Sequence, residues 1–300
     1  MPHNHDHSHA PSNFHHAFAV GVALNIAYVL VQVVFGIFGH SLALLADAGH
    51  NFGDVLGLIL ALGASYLAKR PSTARRTYGW RRTSIMAALL NAIFLLVTVG
   101  AITWEAVRRF GRRDIVDANI VIWVAAVGIV LNGATAWLFM SGRKKDLNIR
   151  GAFMHMAADV AISGGVVVAG LAISFTGWFW LDPATSIIIN IIIVIGTLGL
   201  LRESFDLALD AVPAGVDLLK VRKYLSELPD VTAVHDLHIW AMSTTEIALT
   251  AHLVMPDRSG GDAFLHGICD YLHHAFGIEH STLQIEQNAQ SCALAPDAVD

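Results

Sequence analysis

The stretch Ser41-Leu42-Ala43-Leu44-Leu45-Ala46-Asp47-Ala48-Gly49-His50-Asn51-Phe52-Gly53-Asp54 decides how this chain is read. It sits inside a long apolar run, and its His50 and Asp54 are four residues apart. On a helix, that spacing puts two side chains one turn apart on the same face. A second stretch, His155-Met156-Ala157-Ala158-Asp159, repeats the spacing inside another apolar run. An imidazole and a carboxylate are costly in hydrocarbon unless they face a protein interior or a hydrated path. The alternative, two intramembrane hydrogen bonds locking helices together, is weakened because two pairs match. Together they offer two nitrogen and two oxygen ligands, a set suited to tetrahedral Zn²⁺, with Cd²⁺ or Co²⁺ as further cations. Asp47 lies one turn before His50 and has two readings. It is a proton or gating group facing the same cavity, or the cap of a helix break near Gly49.

Working outward, the 300 residues are 55% hydrophobic and 14% charged, more apolar than a soluble domain. The apolar residues are segmented into runs at 17–38, 42–68, 84–103, 120–140, 147–175 and 184–201. Each is long enough, or nearly so, for the roughly 20 helical residues that cross a bilayer. The fold class expected is therefore an α-helical membrane protein of six transmembrane helices, with a small cytoplasmic α+β domain after them. The expected domains are a disordered His-rich tail at 1–16, the helical domain at 17–203, the α+β domain at 204–290 and a disordered tail at 291–300. The residues from Met1 to His16 contain no Lys or Arg and do not resemble a signal peptide. Their histidines (His3, His5, His7, His9, His15 and His16) read either as weak metal capture or as a neutral, tag-like tail. The net charge of −5 argues against a nucleic-acid partner. Cys269 and Cys292 form no close-spaced motif, which excludes a disulfide framework and suits a reducing side of the membrane.

Loop charge gives the orientation. Lys69, Arg70, Arg75, Arg76, Arg81 and Arg82 are placed between the second and third runs, and Arg143, Lys144, Lys145 and Arg150 between the fourth and fifth. Arg108, Arg109, Arg112 and Arg113 after the third run dissent, but are fewer. Both termini are expected in the cytoplasm of a multi-pass protein of a bacterial inner or cell membrane. At 1.5 Å per residue, His50 lies roughly 14 Å from the outer end of its helix and Asp159 roughly 17 Å from the inner end of its own. In a core about 30 Å thick, His50 then shares a depth with Asp159, and Asp54 with His155. Asn25, Tyr28 and Gln32 make a polar stripe on the first run, and Asn132 and Asn190 lie in the fourth and sixth. These read as interhelical hydrogen bonds, with Asn25 and Asn132 also suited to a hydrated path.

After Arg202 the composition is that of a soluble domain. A helix is expected at 216–228 with Leu218, Leu219, Val221 and Leu225 on one side. Strands are expected at 231–240 and 246–255, a helix at 262–276 and a last strand at 281–287. This is an open-sheet α+β domain, ferredoxin-like, with helices on one face. If Leu237, Ile239, Leu249, Ala251, Leu253, Leu283 and Ile285 face those helices, strand parity puts His238, His252 and Glu286 together on the bare face. Surface histidines at a dimer interface are the competing reading, and His273 and His274 are expected to face solvent.

The stretch from Ser41 to Asp54, the His155–Asp159 pair and His235-Asp236-Leu237-His238-Ile239-Trp240, in that order along nearly the whole chain, resemble the cation diffusion facilitator family of divalent-metal/proton antiporters. The resemblance implies six spans, a cytoplasmic metallochaperone-like domain, a homodimer and proton-driven metal efflux, with two His and two Asp in the central site typical of zinc carriers. It points to His235, His252 and Glu286 as cytoplasmic ligands, with His266 or His280 nearby. Parity and resemblance thus differ over which His of the first strand takes part. The chain departs from some relatives in having no His in the loop from Ser141 to Arg150. The expected function is secondary active export of Zn²⁺ in exchange for protons, with no enzymatic chemistry. The rivals are an intramembrane metalloenzyme and a membrane metal sensor using the same ligands. The first lacks a His-Glu-x-x-His motif and a spare Glu in the second and fifth runs. The second lacks any catalytic or nucleic-acid-binding output module after Gln287.

Overall fold

The computed structural model describes residues 13–110, 114–140, 147–257 and 261–288. Its elements are α1 (Asn13–Phe38), α2 (Leu42–Ala68), α3 (Thr83–Arg109), α4 (Ala118–Met140), α5 (Leu147–Thr176), α6 (Leu181–Ala208), α7 (Leu218–Ser226), β1 (Ala233–Ala241), β2 (Ile247–Val254), α8 (Asp262–Phe276) and β3 (Ile278–Glu286). All six expected long helices are present. Several run past the apolar windows: α1 starts at Asn13, α3 continues to Arg109 and α6 to Ala208. Hydropathy reports only the part of a helix that lies in hydrocarbon. Five of the helices are long and apolar enough to cross a membrane over their described residues. The side chains of the N-terminal histidines, of Arg112, Arg113, Arg143, Lys144, Lys145 and Arg150, and of the tail 291–300 lie outside the described residues.

The chain divides into two compact units. The first comprises residues 1–58 and 93–198. Its core contains Tyr28, Leu44, Val99, Val121, Val124, Val166, Ile189 and Ile193. The outward faces of the same helices carry Trp104, Trp123, Trp137 and Phe175, all more than half exposed. A soluble protein does not expose apolar surface on this scale, whereas a lipid-facing helix does.

Two features hold α2 in place. At its start, the Ser41 hydroxyl accepts from the Leu44 N–H (3.1 Å) and donates to the Asp182 carboxylate of α6 (2.5 Å). Asp182 also accepts from the Leu42 N–H (2.7 Å) and the Ala43 N–H (3.3 Å). The orphan donors of the first turn of α2 are thus satisfied by its own N-cap and by another helix. Further along, Gly49 and Gly53 allow close approach to α3. A Cβ added at Gly53 would lie 2.1 Å from Leu95 Cδ2, and one at Gly49 would lie 2.9 Å from Thr98 Cγ2. Small residues at four-residue spacing are the usual way membrane helices pack tightly. His50 and Asp54, each one residue further on, are turned by about 100° from that glycine face.

The second unit comprises residues 59–92 and 199–300. Its three strands lie in the order β1-β2-β3, with β1 antiparallel and β3 parallel to β2. The α8 helix makes the crossover that a parallel pair requires. One face of the sheet packs Leu237, Ile239, Leu249, Ala251 and Leu253 against Val221 and Leu225 of α7 and Ile268 and Leu272 of α8. Asp217 caps α7, accepting from the Leu219 and Lys220 N–H groups at 3.0 and 3.2 Å. The expected apolar side of this helix needs one correction. Leu219 is exposed while Val221 and Leu225 are buried, because positions two and six residues after Leu219 turn away from it. Within the same unit the segment joining α2 to α3 meets the soluble domain. Arg81 pairs with Glu246 at 3.1 Å, Arg82 with Asp210, and the Thr244 N–H donates to the Ser84 hydroxyl at 3.1 Å.

Candidate metal centres

α2 and α5 bring His50, Asp54, His155 and Asp159 together. His50 Nε2 lies 3.3 Å from Asp159 Oδ1, and His155 Nε2 lies 3.2 Å from Asp54 Oδ2. The contacts within each helix are longer, 3.8 Å for His50–Asp54 and 3.7 Å for His155–Asp159. The shorter contacts are the cross-helix pairs that shared depth leads one to expect. Each imidazole therefore faces both carboxylates, and the two rings meet edge-on at 5.9 Å. Four ligands about 2.0–2.2 Å from one ion in a tetrahedron stand roughly 3.3–3.6 Å apart. The four observed separations bracket that range. Asp54, His155 and Asp159 form a group whose ligand atoms all lie within 4.8 Å of one another, and His50 falls outside that group. Asp159 is buried while His155 is more than a third exposed, so the group has a closed and an open side.

Asp47 does not cap a break, since α2 runs unbroken through Gly49. Its buried carboxylate accepts from the Gln32 side-chain amide at 2.5 Å, and the Asn51 amide donates to the Gln32 carbonyl at 3.1 Å. The second carboxylate oxygen of Asp47 is buried without a hydrogen-bond partner. The polar stripe of α1 thus divides. Gln32 ties α1 to α2, and Tyr28 donates to the Val124 carbonyl of α4 at 3.4 Å. The Asn190 amide of α6 donates to Thr103 of α3 at 2.8 Å. Asn25 is half-buried, and Asn132 is buried with its amide nitrogen unpartnered.

The second centre lies on the sheet face opposite α7 and α8, where His252 is buried. His235 Nε2 is 3.0 Å from Glu286 Oε2, and His252 Nδ1 is 2.9 Å from Glu286 Oε1. These three residues form a group with ligand atoms within 4.8 Å. Strand alternation from Leu237 back to His235 puts His235 on the helix face, yet it stands directly opposite His252. The reason is a β-bulge. The register shifts by one between His235 and His238, and Asp236 takes a left-handed backbone (φ +52°). The extra residue turns His235 onto the face opposite the helices without moving Leu237 or Ile239 from the core. His238 is on that face too, but it is exposed and contacts Asp236 at 2.9 Å, outside the three-residue group. Asp236 was not singled out by sequence reasoning. It reaches both His238 and, at 3.4 Å, His252 Nε2. His266 is exposed, and His280 meets the Tyr78 ring edge-on at 5.7 Å; among the described residues neither belongs to the group. His273 and His274 are exposed.

A bundle of lipid-exposed helices with facing His–Asp pairs on α2 and α5, followed by a small α+β domain, is the architecture of a multi-pass membrane protein with a polar site between its helices. Residues 18–207 match the family model described as the cation efflux transmembrane domain. Residues 213–288 match the one for the cation efflux protein cytoplasmic domain. The zinc transporter ZitB of Escherichia coli is 35% identical over 95% of this chain and 93% of its own length. The metal cation efflux system protein CzcD of Cupriavidus metallidurans is 34% identical over 95% and 89%. The cadmium, cobalt and zinc/H(+)-K(+) antiporter of Bacillus velezensis is 31% identical over 96% and 93%. This chain belongs to the cation efflux (cation diffusion facilitator) family and is a membrane transporter of divalent metal cations.

Proposed function

We propose that this protein exports Zn²⁺ from the cytoplasm in exchange for protons, with His50, Asp54, His155 and Asp159 as the ligands of the transported ion. The observation that carries the reading is the crossed arrangement in which each imidazole nitrogen lies 3.2–3.8 Å from a carboxylate oxygen of both aspartates. Two nitrogens and two oxygens suit zinc, and none of the four groups is a thiolate that would favour a softer ion. The names of the relatives, which mention zinc, cadmium, cobalt and antiport, agree with it.

The chemistry follows from the ligand types. Zinc requires neutral imidazole and ionised carboxylate, so loading from the cytoplasm expels protons. Protons from the far side then compete for the same groups and release the metal. Imidazole is the natural exchange group because its reference pKa is about 6.5. Asp47, one turn away on α2 and held by Gln32, is suited to a proton or gating role. Rocking of helices around a midplane site is the general route to alternating access.

Both termini lie in the cytoplasm on this reading, by the loop charges, and the protein works as a homodimer. The sheet face bearing His235, His252 and Glu286 holds a regulatory metal; two imidazoles and a carboxylate fit zinc there as well. The direct test is flux in proteoliposomes. Zinc uptake should rise with an imposed outward proton gradient and be accompanied by proton release from the lumen. Zinc flux that ignores the gradient, with no matching proton movement, rules out antiport.

A further inference from the structure

The segment between α2 and α3 carries Lys69, Arg70, Arg75, Arg76, Arg81 and Arg82. Arg81 and Arg82 are committed to Glu246 and Asp210. The other four are exposed, and among the described residues none has a carboxylate partner. The segment itself is an ordered turn. Thr73 and Arg76 exchange backbone hydrogen bonds at 3.0 Å, the Thr73 hydroxyl accepts from the Arg76 N–H, and Gly79 takes a left-handed backbone at φ +69°. The Arg76 guanidinium stacks over the Trp80 ring at 3.8 Å. Against this turn lies a cavity of about 410 Å³ lined by Arg75, Arg76, Tyr78, Trp80, Trp240 and Met242. Guanidinium groups thus stand at the edge of a cavity with an aromatic and apolar floor, at the ends of two helices that leave the bilayer.

We propose that this cavity binds the phosphate headgroup of an anionic phospholipid. Arg75 and Arg76 face the phosphate, and Trp80, Trp240 and Met242 cover the glycerol and first methylenes. The position is at the membrane–water boundary, where basic pockets meet lipid phosphates. The planar fork of arginine is matched to phosphate oxygens. Aromatic side chains at this depth are amphipathic anchors, and Tyr66, beside Arg70 at 5.6 Å, extends the belt. Charge that serves only to orient the chain during insertion needs neither a hydrogen-bonded turn nor a cavity. The lipid also lies against the strand β1 that carries His235, so it ties the α2–α3 turn to the soluble domain. The inference uses only the fact that these helices cross a membrane and does not depend on the transport ligands.

The test is binding to the full-length protein in detergent, with no metal added. Short-chain phosphatidylglycerol is compared with phosphatidylcholine of the same chain length, and inorganic phosphate and glycerol phosphate serve as soluble anions. Binding is read by native mass spectrometry and by quenching of tryptophan with a brominated lipid. The parent protein should prefer phosphatidylglycerol, and Arg75→Gln with Arg76→Gln should weaken it by about 30-fold. Lys220→Gln with Lys223→Gln, which removes the same charge from α7, should change it less than about threefold. If the double arginine variant does not fold, Arg75→Gln alone should weaken binding by about fivefold. Equal affinity for the two lipids, equal loss in the α7 variant, or full competition by millimolar inorganic phosphate would each overturn the proposal; the last would make it a site for a free anion.

Discussion

Replacing Gly53 with Ala tests the packing that presents Asp54. The added Cβ would lie 2.1 Å from Leu95 Cδ2 and 2.8 Å from Leu95 Cγ. Ordinary carbon contacts are about 3.5–4.0 Å, so the methyl contact is short by roughly 1.5 Å. Turning the Leu95 tip removes the first clash, but the Cγ contact remains. α2 and α3 must then part by several tenths of an ångström as well. Overpacking of this kind costs about 1–3 kcal/mol. The same Gly→Ala change at Gly63, where nothing lies within 4 Å, removes only the glycine penalty of an exposed helix position. We therefore expect Gly53→Ala to lower the thermal midpoint in detergent and to slow zinc flux, because Asp54 and His50 move with the backbone. Gly63→Ala should be neutral or slightly stabilising. Adding Leu95→Ala to Gly53→Ala should restore part of the loss, giving a coupling of about 1 kcal/mol or more in a double-mutant cycle. If Gly53→Ala is as stable and as active as Gly63→Ala, α2 and α3 are not packed as described.

Other predictions follow from the same structure. His50→Asp exchanges a nitrogen ligand for oxygen and should shift selectivity from Zn²⁺ toward Mn²⁺ in competition uptake; an unchanged preference removes His50 from the ligand set. Asp217 is held below the usual carboxylate range by the backbone N–H of Lys220 and then by that residue's side chain. Its cap therefore stabilises the domain above its unfolded pKa of about 3.9 and is lost as pH falls through the lower folded value. Asp217→Ala should lower the melting midpoint of the soluble domain at pH 7, and the difference from the parent should vanish in strong acid. His252→Ala with Glu286→Ala should reduce zinc binding to the domain by calorimetry and reduce, without abolishing, transport.

The helices were legible because hydropathy and the His–Asp spacing are local properties. His50 and Asp159 could be placed at one depth from helical rise alone. The partnership of Asp182 with Ser41 was not legible, since it joins residues 141 apart in sequence. Its only local sign is an acidic residue before Pro183 at the start of a helix. Asp47 was visible as an oddity, but its tie to Gln32 depends on how α1 meets α2. In the soluble domain, parity placed His238 and His252 on one face and missed His235. A single inserted residue reverses alternation on one side of it, and Asp236 gives no sequence sign that its backbone is left-handed. The resemblance pointed to His235, and the bulge supplies the physical reason it can stand opposite His252.

Whether the four side chains of His50, Asp54, His155 and Asp159 hold the transported ion is decided by zinc flux through Asp159→Ala. Asp159 is the most buried of the four and contacts both imidazoles. The variant and the parent should be reconstituted at equal abundance, with folding checked by size-exclusion profile and melting curve. Zinc uptake by the variant should be indistinguishable from that of protein-free liposomes at every imposed proton gradient. Uptake near that of the parent from a folded Asp159→Ala protein would contradict it.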